Sequence, residues 1–153
     1  MNDPVIVPVE YSHVAHVADY ARKADRDEIA ASSGRDMREI LCKSVRISTA
    51  CWAMTIKGEP VVIAGVAPLN VLQGEGVPWA IGTDGVTDNP MLFMKASKTC
   101  MAEIIRYYSY LTNYVDARNE AAIRYLKHIG FEFHEAEPYG ISGLPFHKFE
   151  MRA

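Results

Sequence analysis

Apolar and polar positions recur with two different periods along the chain, and the switches between them mark out the elements. Residues 5–9 are short and apolar and are punctuated by Pro4 and Pro8. That suits an edge strand, because proline cannot donate a ladder hydrogen bond. Val14, Val17, Ala18 and Ala21 then recur at i, i+3, i+4 and i+7, which predicts an amphipathic helix. Residues 25–33 predict a short helix stopped by Gly34. Asp36, with Glu39 three residues later, resembles a capping-box start, after which Met37, Ile40, Leu41 and Val45 continue one apolar face.

In the middle the period becomes two. Trp52, Met54 and Ile56 alternate with smaller or polar residues, as in a half-buried strand. Residues 57–60 are a turn, and residues 61–67 are nearly all apolar, as in a strand covered on both faces. Residues 70–76 read as a loop. Val77, Trp79 and Ile81 alternate in a further strand ending at Gly82. Residues 83–89 are polar and turn-rich. Asp88 or Asn89 is placed to cap a helix with Pro90 in its first turn and with Met94, Met101, Ile104, Ile105 and Tyr108 on its core face. Residues 111–115 form a short strand. Asn119 caps another helix, whose apolar side is Ala122, Ile123, Leu126 and Ile129, and Gly130 stands where a left-handed cap belongs. Phe131 and Phe133 alternate in a strand, residues 139–143 are a loop, and residues 146–151 are the last strand.

That order, strand, helices, three strands, helix, strand, helix, two strands, predicts an α/β (α+β) chain with a mixed six- to seven-stranded sheet and helices on both faces. Its 153 residues suit one domain spanning 1–153. Hydrophobic residues make up 49% and charged residues 23%, which argues for a packed core rather than disorder. The net charge is -3, with Lys and Arg scattered, so binding to nucleic acid through bulk charge is not expected. The N-terminal segment has neither the basic start nor the apolar run of a signal peptide, and no stretch approaches the ~20 apolar residues of a membrane helix. Cys42, Cys51 and Cys100 are widely spaced, which predicts reduced thiols in a cytoplasmic setting. His13 and His16, three apart without a helical partner acid, predict no zinc site.

The segment from Asn119 to Phe131 (NEAAIRYLKHIGF) resembles the N-x-x-A-[IL]-x-x-[YF]-x-x-x-G-F motif of the GNAT (Gcn5-related N-acetyltransferase) family. Asn119, Ala122, Ile123, Gly130 and Phe131 fall at matching spacing. The element order resembles the GNAT fold over most of the chain, while the motif covers its last third. The Arg-aromatic-Leu-Lys string inside the same helix is similar to small GNAT-like proteins of T7-like and other tailed phages, some described as internal virion proteins.

The resemblance implies an acetyl-CoA-dependent N-acetyltransferase acting on a small-molecule or protein amine. It also implies a location in the cytoplasm of a host or in a virion, and leaves open a homodimer. The cofactor would lie where the fourth and fifth strands splay, on Trp79, Ala80, Ile81 and Gly82, with Asn89, Lys95 and Asn119 as further contacts. The diphosphate would sit at the N-terminus of the following helix. Here residues 82–90 depart from the family's [RQ]-x-x-G-x-[GA] loop: Asp84 and Asp88 add negative charge, Pro90 removes a donor, and Lys95 and Lys98, about one turn apart on the following helix, are the cations placed to offset this. The family's acid-catalytic tyrosine corresponds to Leu126. Tyr125, its neighbour, is rotated by roughly 100° about the helix axis. Tyr139 or Ser142 is the alternative proton donor. Glu75, Asp84, His13 and His16 are candidate bases, Glu75 first because it precedes strand four. A non-catalytic GNAT-like virion or host-interaction protein is the competing expectation, and a CoA-binding domain without turnover a third.

Overall fold

The computed structural model describes residues 4–153. The N-terminal third carries β1 (Pro4–Pro8), α1 (Tyr11–Tyr20), α2 (Lys23–Ser32) and α3 (Met37–Ile47). Asp36 caps α3, its side chain accepting from the Glu39 N–H at 3.3 Å. An antiparallel meander follows: β2 (Ala50–Ile56), β3 (Glu59–Asn70) and β4 (Glu75–Gly82). A single turn of helix, α4 (Gly85–Asp88), leads into the long α5 (Pro90–Tyr107), then β5 (Tyr110–Asp116) and α6 (Glu120–Ile129). The chain ends with β6 (Glu132–Phe133), β7 (Glu137–Tyr139) and β8 (Leu144–Arg152).

The strands make one sheet in the order β1-β2-β3-β4-β5-β8-β6, with β7 also paired to β8. Every pairing is antiparallel except β4 with β5, which the α5 crossover makes parallel. Alternation along the strands gives each face its own core. Val14, Val17 and Leu41 of α1 and α3 pack on Ala53, Ile63 and Ile81 from one side. On the other side α5 and α6 cover Val66, Leu111, Val115 and Phe149 with Ile104, Ile123 and Leu126, and α5 places Ala96 and Phe93 over Met54 and Val62.

The structure extends the predicted elements in three places. The strands flanking the 70–76 loop run on into it, so only residues 71–74 separate β3 from β4, because Pro68 and Asn70 pair with Gly76 and Glu75 across a bulge. The polar 83–89 stretch contains the single-turn α4. Residues 137–139, too short to show a period, pair with β8 as β7 and bring the sheet to eight strands. Gly130 has φ 120° and closes α6 in the left-handed conformation. The three cysteines are half-buried and unpaired.

The β7–β8 turn is anchored on α2. The N–H groups of Ile141 and Ser142 donate to the carbonyls of Ser32 and Ala31, both at 3.2 Å. Gly140, with φ 74°, lies so close that an added Cβ would sit 2.6 Å from Ser32 Cα. Gly143, with φ 69°, faces open space. Gly143→Ala should therefore cost only backbone strain, roughly 1–3 kcal/mol. Gly140→Ala should cost clearly more, because backbone must move as well. Urea unfolding of the two variants side by side checks this, and equal losses would show that the turn is not held against α2.

Candidate functional site

Where β4 and β5 should run side by side, they separate. Their ladder comprises only Glu75 with Tyr110 and Gly76 with Leu111. The reason is local. N–H and C=O of one strand residue point the same way and alternate along the strand. Gly82 accepts from the Arg22 N–H at 2.9 Å and donates to Asp25 Oδ2 at 2.9 Å, so its backbone faces away from β3. By alternation Pro78 and Ala80 face the same gap, whereas Trp79 and Ile81 face β3 opposite Gly65 and Ile63. The first gap-facing residue above the ladder is thus a proline with no N–H to extend it. The Pro78 carbonyl accepts instead from Asn113 Nδ2 at 2.8 Å, and Asn113 Oδ1 accepts from the Tyr114 N–H at 2.8 Å.

The mouth of the gap is closed by α2 rather than by a strand. Asp25 holds the end of β4 through Gly82, while Glu28 Oε1 accepts from the Asp116 N–H at 2.9 Å at the end of β5 and from Asn119 Nδ2 at 3.4 Å. Ala21 and Thr83 make an isolated antiparallel bridge beside them. On β4 this leaves Ala80, exposed in the middle of an eight-stranded sheet, with an N–H and a C=O aimed into the gap and no hydrogen-bond partner among the described residues.

The gap opens into a cavity of about 850 Å³ lined from both faces of the sheet. On the α5–α6 side it is walled by Phe93, Ser97, Cys100 and Tyr125, over the small side chains of Ala64 and Ala80. On the α2–α3 side the walls include Glu28, Ile29, Ile40, Trp79, Tyr114 and Tyr139. Such a volume is in the range of small-molecule sites.

Three carboxylates meet at the mouth, and their states differ. Asp25 is 8% exposed, and burial raises its pKa against the opposing Gly82 N–H and the Arg22 guanidinium at 3.3 Å. Burial also acts to raise Asp116, yet the side chain and backbone N–H of Arg118 outweigh it and hold the pKa below the usual range. Glu28 forms no ion pair among the described residues. Burial, then the neighbouring charges of Asp25 and Asp116, push its pKa up to about 7 despite the Asp116 N–H bond. A carboxyl poised there exchanges protons at neutral pH. Tyr125, its ring tilted against Phe93 with centroids 4.6 Å apart, is pushed by burial up to about 12 and keeps its proton.

Of the residues marked in the sequence, Trp79, Ala80, Ile81, Gly82, Asn119 and Tyr139 line this cavity. Their backbone roles divide by alternation: Trp79 and Ile81 are committed to β3, Gly82 to α2, and only Ala80 is free. Asn119 is 3% exposed and is engaged by the Ala122 N–H it caps, by Arg22 and by Glu28. Glu75 lies in the closed foot of the gap, paired with Tyr110 and outside the cavity walls. Asp84 and Lys95 are exposed outside the cavity walls, and Asn89 donates its side-chain N–H to the Gly85 carbonyl at 3.0 Å. His13 accepts from the Glu10 N–H, His16 pairs with Glu59, and Ser142 donates to the Ala31 carbonyl. No group of three or more His, Cys, Asp or Glu among the described residues is arranged to hold a metal ion, and no helix among them is long and apolar enough to cross a membrane.

Glu28 was not singled out in the sequence, although a signal for it exists. Asp25, Glu28, Ile29 and Ser32 recur at i, i+3, i+4 and i+7, so the inward stripe of α2 carries two carboxylates where apolar residues are expected.

No protein-family model matches the chain, and no curated protein matches it by sequence. Solved structures do match, over nearly its whole length. Ribosomal-protein-alanine N-acetyltransferase from Brucella melitensis superposes with a TM-score of 0.76 at 13% identity, covering 97% of this chain and 99% of that one. The protein yncA from Salmonella typhimurium, solved with its cofactor acetyl-CoA, gives 0.76 at 13% identity over 99% and 94%. A spermidine N-acetyltransferase chimera of Vibrio cholerae SpeG and hSSAT gives 0.72 at 9% identity over 98% and 95%. The chain therefore has the GNAT acetyltransferase fold. None of these three is a phage protein.

The raised Glu28 pKa has a consequence for stability. Between its ordinary value of 4.5 and about 7 the folded chain holds a proton that the unfolded chain has released. This contribution therefore weakens the fold progressively as pH rises through that window and is constant above it. Glu28→Gln should gain stability relative to the native chain between about pH 5 and about pH 8. Urea titrations across that range read the difference directly, and a difference independent of pH would mean that Glu28 titrates like a surface glutamate.

Proposed function

We propose that the chain is an acetyl-CoA-dependent N-acetyltransferase. The observation that carries this reading is the unzipped β4–β5 gap, with the Ala80 N–H and C=O unpartnered in an otherwise continuous sheet of GNAT fold. An extended chain bearing amides, such as the pantetheine arm of acetyl-CoA, satisfies both groups as a strand would. Bound there, acetyl-CoA supplies a thioester carbonyl; the acceptor amine attacks it, a C–N bond forms and the C–S bond breaks. Glu28, near pH 7, takes the proton that the amine gives up. Tyr125, protonated throughout the physiological range, returns one to the departing sulfur. Tyr139 belongs to the acceptor wall.

The turn before α5 fits the donor less well than the gap does. The N–H groups of Gly85, Val86, Asp88 and Asn89 are all spent inside that turn, and Pro90 has none. Diphosphate is therefore held by few fixed donors, and weak binding of acetyl-CoA is expected. The same observation favours a second reading, a domain that keeps the fold without turnover in a virion or at a host protein.

Thermal unfolding with acetyl-CoA, titrated to about 5 mM, separates the two. A donor reaching ~100 times its dissociation constant adds about 2.7 kcal/mol of stability, and even weak binding gives a rising midpoint. An unmoved midpoint at the highest concentration would reject the enzyme reading. With an amine present, thiol release should follow. Glu28→Gln should lower kcat by roughly 10²-fold or more and leave the acetyl-CoA shift in place. Tyr125→Phe should also lower kcat, and more than Tyr139→Phe does. The reverse order would move the proton donor to β7.

A further inference from the structure

We infer that the acceptor is a monoamine carried on an aromatic or branched apolar body, and not a polyamine. This rests on the acetyl-transfer reading above and names the substrate class of the same site.

The α2–α3 half of the cavity supplies the argument. Around Glu28 its walls are Ile29, Ile40, Trp79, Tyr114 and Tyr139. Trp79 has its one polar atom satisfied, because its indole N–H donates to Ser48 Oγ at 2.8 Å, which leaves the ring for apolar contact. Tyr114 and Tyr139 are stacked, with ring centroids 4.0 Å apart and planes 14° from parallel. Tyr139 precedes the turn bonded to Ala31 and Ser32, so this wall is braced against the helix that carries Glu28. A rigid apolar wall binds a flat or branched hydrocarbon without an ordering cost of its own.

Charge excludes the alternative. The charged groups lining the cavity are Arg22, Asp25, Glu28 and Arg124, with the ionisable His128. Asp25 is occupied by Arg22 and by the Gly82 N–H. Glu28 is thus the one carboxylate without a cation. A first ammonium is paired by it there. A second ammonium, as in a polyamine, would lose its hydration with no free carboxylate to meet, since Arg22 already holds Asp25 and Arg124 and His128 stand on α6 across the sheet. The spermidine N-acetyltransferase chimera shares this fold, so a difference in acceptor class would lie in the wall and not in the scaffold.

The test compares kcat/KM for 2-phenylethylamine, tryptamine and spermidine with acetyl-CoA as donor, followed by thiol release. The aryl monoamines should exceed spermidine by about tenfold or more, since one buried unpaired charge is decisive. Ile40→Glu adds a second carboxylate to the wall and should shift the ratio towards spermidine by about tenfold, a gain that no general loss of structure produces. Trp79→Ala should raise KM for the aryl amines and leave the acetyl-CoA thermal shift intact. Turnover with spermidine preferred in the native chain, or a ratio unmoved by Ile40→Glu, overturns the acceptor class alone. An absence of amine-dependent thiol release with every acceptor overturns the transfer reading as well.

Discussion

The parallel ladder between β4 and β5 stops after two residue pairs, and the rest of the site depends on that stop. A proline occupies the place where the next N–H would cross, and the amide of Asn113 occupies the space where the next carbonyl would have been met. A central strand normally excludes proline because its neighbour needs the donor. Pro78 is tolerated because the side it faces is an internal edge. Sheet edges expose pairing groups and invite adventitious partners. Here the edge lies inside the molecule, where its unpaired groups are reached only through the cavity.

The opening has to be stabilised, and α2 does this with charged side chains. Asp25 and Glu28 stand one turn apart on its inward stripe and each accepts one backbone N–H, from Gly82 and from Asp116. The helix thereby spans the two strand ends. The arrangement costs desolvation of carboxylates, which arginines offset at Asp25 and Asp116 but not at Glu28. The same imbalance that raises the Glu28 pKa leaves a proton acceptor facing the cavity. The side chain that closes the mouth of the gap is thus the same one to which the proposed reaction assigns the proton transfer.

Much of the architecture was legible in periodicity. The 3.6-residue stripe of α1, the Asp36 and Asn119 caps and the Gly130 terminus all follow from local chemistry, and the order of elements fixes the mixed sheet. What escaped was short or ambiguous. β7 is three residues of no period, and α4 is a single turn in a polar stretch. Within the site, Trp79 to Gly82 could be placed on the strand, but which of them turns its backbone inward depends on the register with β3. Glu75 was marked in the loop before strand four, and its place at the closed foot of the gap depends on the β4–β5 ladder, which the sequence does not show. Glu28 lay unremarked in a helix whose carboxylates suggest a solvated face until Asp25, Glu28, Ile29 and Ser32 are seen to share one side. Pro78 carried the clearest sign of the splay, and it becomes readable only once its strand is known to be interior.

The two-rung joint at Glu75 and Gly76 also has a mechanical meaning. It ties the β1–β4 meander to the β5–β8 ribbon at one end only, so the two halves meet like the arms of tongs around a pivot, with α2 as a latch across the tips. A guest threaded between the arms would stand in for the missing rungs. Its own amides would then carry tension from one half of the sheet to the other, making the occupied protein the stiffer object of the two.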